Sequence, residues 1–245
     1  MKLDRDKKHF PVALDQLRLP MFADRDFSRP FVVALEGANG AGKTTLCHLL
    51  ARSLKTHACF GTDDAWLSDV FKTRMIRDAE WFVSAMFFLS GCFEQMRVLR
   101  DRPEPLVIMD RSLWSTLAIH SAESTKRLET LLAILQPVAD QITIPDLTLV
   151  LEADFETCQS RIARKSGAAR RLDALTATPA FHAREQAFYR WLAHQHSEVL
   201  FLDANQAGPE AIAEQATMLI REKIGVQNLA PRHGRKDETS AGAAS

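Results

Sequence analysis

The chain has 245 residues, 46% of them hydrophobic and 25% charged, proportions that suit an ordinary globular domain with a sizeable core. Lys+Arg and Asp+Glu both number 31, so the formal net charge is zero. That excludes a dedicated polyanion binder, because proteins that neutralise nucleic-acid phosphates carry a basic excess.

The four cysteines, Cys47, Cys59, Cys92 and Cys158, form no CxxC pair and read as reduced thiols rather than a zinc or redox site. No apolar run approaches the ~20 residues of a membrane span. The charged N-terminus lacks an apolar signal core. The expectation is a cytoplasmic protein with no nucleic-acid or membrane partner.

In chain order, residues 1–29 form a polar extension with short apolar pieces such as Leu17-Arg18-Leu19-Pro20-Met21-Phe22, expected to pack loosely. Phe31-Val32-Val33-Ala34-Leu35 has the length and composition of a buried strand. Gly37-Ala38-Asn39-Gly40-Ala41-Gly42-Lys43-Thr44 then fits the phosphate-loop pattern G-x-x-x-x-G-K-[ST] at every fixed position. Its glycines let successive N–H groups turn inward on an anion, and the helix predicted from Thr45 adds its positive end. Gly37, Asn39, Gly40, Ala41, Gly42, Lys43, Thr44 and Thr45 are thus the expected ATP contacts. Lys43 is assigned to the β- and γ-phosphates and the Thr44 hydroxyl to Mg²⁺.

A second strand is predicted at His57–Phe60, closed by Gly61-Thr62. Asp63 and Asp64 follow at the carboxyl edge of the sheet, where ligands bind in open α/β folds. Either is a base for a hydroxyl acceptor or a helix N-cap. Arg74 and Arg77 are the alternative, as contacts for a phosphorylated acceptor. Helical periodicity runs from 65 to 102, through Trp81, Phe82, Phe88, Leu89 and Phe93.

Leu106–Met109 reads as a buried strand ending in Asp110-Arg111-Ser112. A carboxylate there is costly unless paired or bound to metal, so Asp110 is a Mg²⁺-side acid. Arg111 is an oxygen-gripping fork for the acceptor. A helix over 113–135, a strand at Leu147–Leu151 and a helix carrying Arg161, Arg164 and Lys165 come next, then a loop with Arg170 and Arg171. These cations are candidates to close over phosphates. A helix over 179–195, a strand at Val199–Asp203 and a closing helix over 209–223 complete the domain. A polar tail over 226–245 is expected to be disordered. The scattered histidines have no metal-ligand spacing. Alternating strands and helices call for a parallel sheet covered on both faces.

Four blocks in this order resemble the thymidylate kinase family of P-loop nucleotide kinases. They are Leu35-Glu36-Gly37 through Thr45, Val107-Ile108-Met109-Asp110-Arg111-Ser112, Pro145-Asp146-Leu147-Thr148-Leu149-Val150-Leu151, and the basic stretch from Arg161 to Arg171. The resemblance covers roughly 30–222. It implies an α/β three-layer sandwich with a five-stranded parallel sheet of order 2-3-1-4-5 over residues 30–225, and a basic lid at about 161–173. It also implies an ATP- and Mg²⁺-dependent nucleotide kinase acting as a homodimer. Lys43, Asp110, Arg111, Arg164 and Arg170 become its catalytic set.

The family's R-E-P-G-G-T segment is absent after the second strand, and Asn39 stands where the loop often holds an acid. Trp81–Gly91 and Asp110-Arg111-Ser112 also look somewhat like deoxynucleoside kinases. The acceptor is therefore open between a nucleoside monophosphate and a nucleoside or other hydroxyl compound. A non-catalytic NTP-binding switch is the third possibility.

Overall fold

The computed structural model describes residues 14–60, 69–165 and 178–229. Asp63, Asp64, Arg170, Arg171 and most of the tail lie outside the described residues.

Five strands, β1 (Phe31–Glu36), β2 (His57–Phe60), β3 (Leu106–Asp110), β4 (Leu147–Glu152) and β5 (Val199–Asp203), pair entirely in parallel in the order β2-β3-β1-β4-β5. β1 lies in the middle and is buried throughout, which is why it reads as an unbroken apolar run. Its side chains still alternate by face. Val33 and Leu35 join Leu46 and Leu50 of α1 (Lys43–Leu54) and Ile212, Ala216 and Ile220 of the closing helix. Val32 and Ala34 instead meet Met96 and Leu99. The sheet is thus a middle layer between two helical ones.

After β2 the periodic segment is two helices, α2 (Asp69–Arg77) and α3 (Trp81–Arg100). The segment after β3 likewise splits into α4 (Leu113–Ser121) and α5 (Thr125–Leu135), because Ser124 caps a new helix by accepting from Lys126 N. A short 3-10 helix over Gln136–Gln141 follows. α6 (Phe155–Ala163) starts at Asp154, whose side chain accepts from Thr157 N, and α7 (Pro179–Gln195) starts at Thr178 in the same way. α8 (Pro209–Leu229) runs on past Lys223, so the stretch expected to be a tail begins helical.

α3 is long and apolar enough to cross a membrane by length and composition. The sequence reading found no such run. Its Ala85, Leu89, Cys92, Met96 and Leu99 are buried in the protein instead.

Within the extension, the described residues 14–29 reach the core at several points. Leu14 is buried with Trp114, Leu128 and Leu131, and Phe22 meets Trp114 edge-on at 5.7 Å. Asp146 anchors its end: Arg29 forks onto both carboxylate oxygens at 2.6 and 2.9 Å, Arg25 Nε lies 2.8 Å away, and Val32 N donates at 2.7 Å. A buried carboxylate with this many donors is satisfied, and removing a partner would be costly.

Candidate active site

The loop between β1 and α1 turns on three glycines with positive φ, Gly37 (124°), Gly40 (87°) and Gly42 (111°). Two are also fixed by space. A Cβ on Gly37 would sit 2.5 Å from the Leu151 carbonyl oxygen, and one on Gly40 would overlap the Cys158 carbonyl. The loop is thereby pressed against β4 and α6. Gly42 is the N-cap of α1 and offers no side-chain cap. The first N–H groups of that helix are left for an anion.

Lys43 is 5% exposed and donates to the carbonyls of Gly37 (2.7 Å) and Ala38 (2.8 Å). Burial, reinforced by the neighbouring charge of Arg111, lowers its pKa to about 8. A phosphate arriving at the loop restores the missing counter-charge.

Thr44 Oγ1 donates to Asp110 Oδ2 at 2.5 Å, while Asp110 Oδ1 is buried without a partner among the described residues. A hydroxyl and a half-satisfied carboxylate are hard oxygen donors. They suit Mg²⁺, which keeps waters and phosphate oxygens for its other positions. Thr44 and Asp110 would hold it. The register that places Asp110 beside Leu35 brings the end of β3 to the phosphate loop.

Arg111 adopts φ 77°, and its N–H donates to Leu35 O at 3.0 Å. Its guanidinium donates to Asn39 Oδ1 and, at 3.1 Å, to Ser115 Oγ. Asn39 therefore contacts this arginine from the loop, where the sequence foresaw only an ATP contact. Burial opposes the Arg111 charge, but Asp110, Glu185 and Glu36 outweigh it and its pKa is raised.

A cavity of about 410 Å³ opens on this group. Asn39 to Leu46, Asp110, Arg111, Arg161, Lys165, Ala207, Pro209 and Ile212 border it. It runs from the phosphate loop towards the β5–α8 connection. Arg161 spans its floor, donating to Ala41 O (2.9 Å) and Ala204 O (2.7 Å). This candidate lid cation is used to tie the loop to the strand edge. Arg164, the C-cap of α6, is exposed and does not border the cavity. Neither Arg74 nor Arg77 borders it; Arg77 forks onto Asp78 at the surface.

Sequence reasoning named Glu36 only as part of a motif. In the fold it is fully buried and gathers donors from Ser112, Ser115 and Tyr189. An acid beside a phosphate loop was the available signal; its partner Tyr189 lies 153 residues away.

Residues 35–216 match the family profile described as Thymidylate kinase. The chain belongs to the thymidylate kinase family. It is 27% identical over 188 residues to a thymidylate kinase of Mycoplasma pneumoniae, spanning 72% of this chain and 88% of that one. Among solved structures it resembles a thymidylate kinase from Candida albicans, with TM-score 0.63 at 18% identity over 80% of this chain and 93% of that one. It also resembles a deoxyadenosine kinase from M. mycoides solved with bound dATP, with TM-score 0.60 at 14% identity over 78% and 99%. These similarities establish a P-loop kinase fold and a nucleotide kinase of thymidylate-kinase type.

Proposed function

We propose that this thymidylate kinase family member moves the γ-phosphoryl group of Mg-ATP to a nucleoside monophosphate. The observation that carries this reading is the convergence of Lys43, Thr44, Asp110 and Arg111 on one cavity. Phosphoryl transfer asks the protein mainly for alignment and for positive charge around the transferred group. The loop amides and Lys43 would cradle the donor phosphates, and Thr44 and Asp110 would hold a metal ion that neutralises phosphate charge. Arg111, whose side-chain partners Asn39 and Ser115 are neutral, keeps its charge for an acceptor phosphate. Arg170 and Arg164 remain candidates for closing over the transferred group. Asp63 or Asp64 would serve as base only for a hydroxyl acceptor. The working enzyme is a homodimer in the cytoplasm.

ADP release under saturating Mg-ATP, with a panel of nucleoside monophosphates and the matching nucleosides, tests the reading. Turnover with at least one monophosphate is expected, and Lys43→Ala should reduce it by about 10³-fold or more, the scale of electrostatic stabilisation in such sites. Turnover with nucleosides alone would transfer the assignment to the hydroxyl acceptor and its aspartate base. Tight ATP binding with no turnover would leave a binding switch.

A further inference from the structure

Beneath Arg111 lies a polar chain with no assigned role. Glu36 Oε1 accepts from Ser112 N at 2.8 Å and Ser112 Oγ at 2.6 Å. Glu36 Oε2 accepts from Ser115 Oγ and, at 2.9 Å, from Tyr189 Oη. The proton directions are determined by the outer partners. Ser112 Oγ accepts from Trp114 N at 3.2 Å and Ser115 Oγ accepts from Arg111 at 3.1 Å. Each hydroxyl therefore turns its own proton to Glu36. Burial raises the pKa of Glu36, and the four donors, with the nearby Arg111 charge, work against that rise in favour of the carboxylate.

We propose that Glu36 is a positioning residue that acts on Arg111 through Ser115. The carboxylate is one of the arginine's counter-charges, beside Asp110 and Glu185, and it is linked to the guanidinium at one remove. A direct ion pair would occupy the guanidinium's fork and neutralise it. The Ser115 hydroxyl passes the attraction on while using one N–H, and Asn39 takes another; both partners are neutral, so the guanidinium keeps its charge for an anion. The same carboxylate holds Ser112 N immediately after Arg111, which keeps the arginine backbone at φ 77°, a left-handed conformation that is strained for a non-glycine residue. Tyr189 brings α7 into the assembly, so the arginine is aimed by β1, α4 and α7 together. Lys43 directs its own hydrogen bonds to Gly37 O and Ala38 O rather than to Ser115, so a change at Ser115 should bear on the acceptor more than on the donor.

The inference rests on Arg111 serving the acceptor, and the test separates the two. Acceptor kcat/KM, Mg-ATP affinity and melting temperature are measured for Arg111→Ala, Ser115→Ala, Ser115→Thr and Glu36→Gln. Arg111→Ala should lower acceptor kcat/KM by about 10²-fold, as expected for a lost charge-assisted contact. Ser115→Ala should lower it about tenfold with Mg-ATP affinity within about twofold, and Ser115→Thr should restore most of the loss. Glu36→Gln should behave like Ser115→Ala or worse, since an amide presents a donor where one is already aimed at it. Ser115→Ala added to Arg111→Ala should cost little more, because both remove one interaction.

If Arg111→Ala lowers acceptor kcat/KM and Ser115→Ala does not, the relay is wrong and the acceptor assignment stands. If Arg111→Ala has no effect on the acceptor, the assignment and the relay fall together. If Ser115→Ala lowers ATP affinity and melting temperature along with acceptor turnover, the chain is only structural and the proposal is overturned.

Discussion

Lys43 shows how a single residue is prepared for its ligand. In the free protein its ammonium rests on two loop carbonyls, and burial brings its pKa to about 8, below the ordinary 10.5. The sign follows from which state binds more protons. Between about pH 8 and 10.5 the unfolded lysine is protonated and the folded one is not, so stability rises with pH across that window through this group. Ligand binding runs the other way, because a triphosphate favours the ammonium. ATP binding near pH 8 should take up about half a proton, and affinity should weaken as pH rises further. Titration calorimetry in buffers of different ionisation heat measures the uptake. No uptake at pH 8 would mean that Lys43 is already fully charged in the free loop.

At the scale of elements, the phosphate loop is held from outside as well as from within. Gly40 faces the Cys158 carbonyl of α6 and Gly37 the Leu151 carbonyl of β4. Gly40→Ala should therefore displace the loop from α6, at a cost on the order of 1–3 kcal/mol from left-handed backbone and overlap together. Mg-ATP affinity should fall at least about tenfold in equilibrium binding, while a native far-UV spectrum is kept.

This bracing was partly legible in the sequence. The loop, its flanking strand and the acid ending β3 are local patterns, and they reappear in the expected places. The breaks between α2 and α3 and between α4 and α5 were missed, because apolar spacing continues across a short interruption and only Ser124 marked the second. Arg161 looked like a lid cation because a sequence shows charge, not the two carbonyls it meets. Glu36 with Tyr189, and Asp146 with Arg29, are pairings across more than a hundred residues. No periodicity encodes such contacts.

For the molecule as a whole, the outward side of α2 and α3 carries Phe71 (44% exposed), Phe82 (43%), Val83 (53%) and Phe93 (37%). So much large apolar surface on neighbouring helices is the kind that a second copy covers. Sedimentation should find a dimer at micromolar concentration, and Val83→Glu should shift it towards monomer; a wild-type monomer would refute the assignment of this face. The clamp on Asp146 acts on the same scale. The region recognisable by kinship begins at residue 35, yet the guanidiniums that neutralise that acid, and the leucine beneath Trp114, come from residues 14 to 29. What looks like a dispensable leader completes the core around Trp114, and a chain trimmed of residues 14–29 would leave an orphaned anion where β1 and β4 meet.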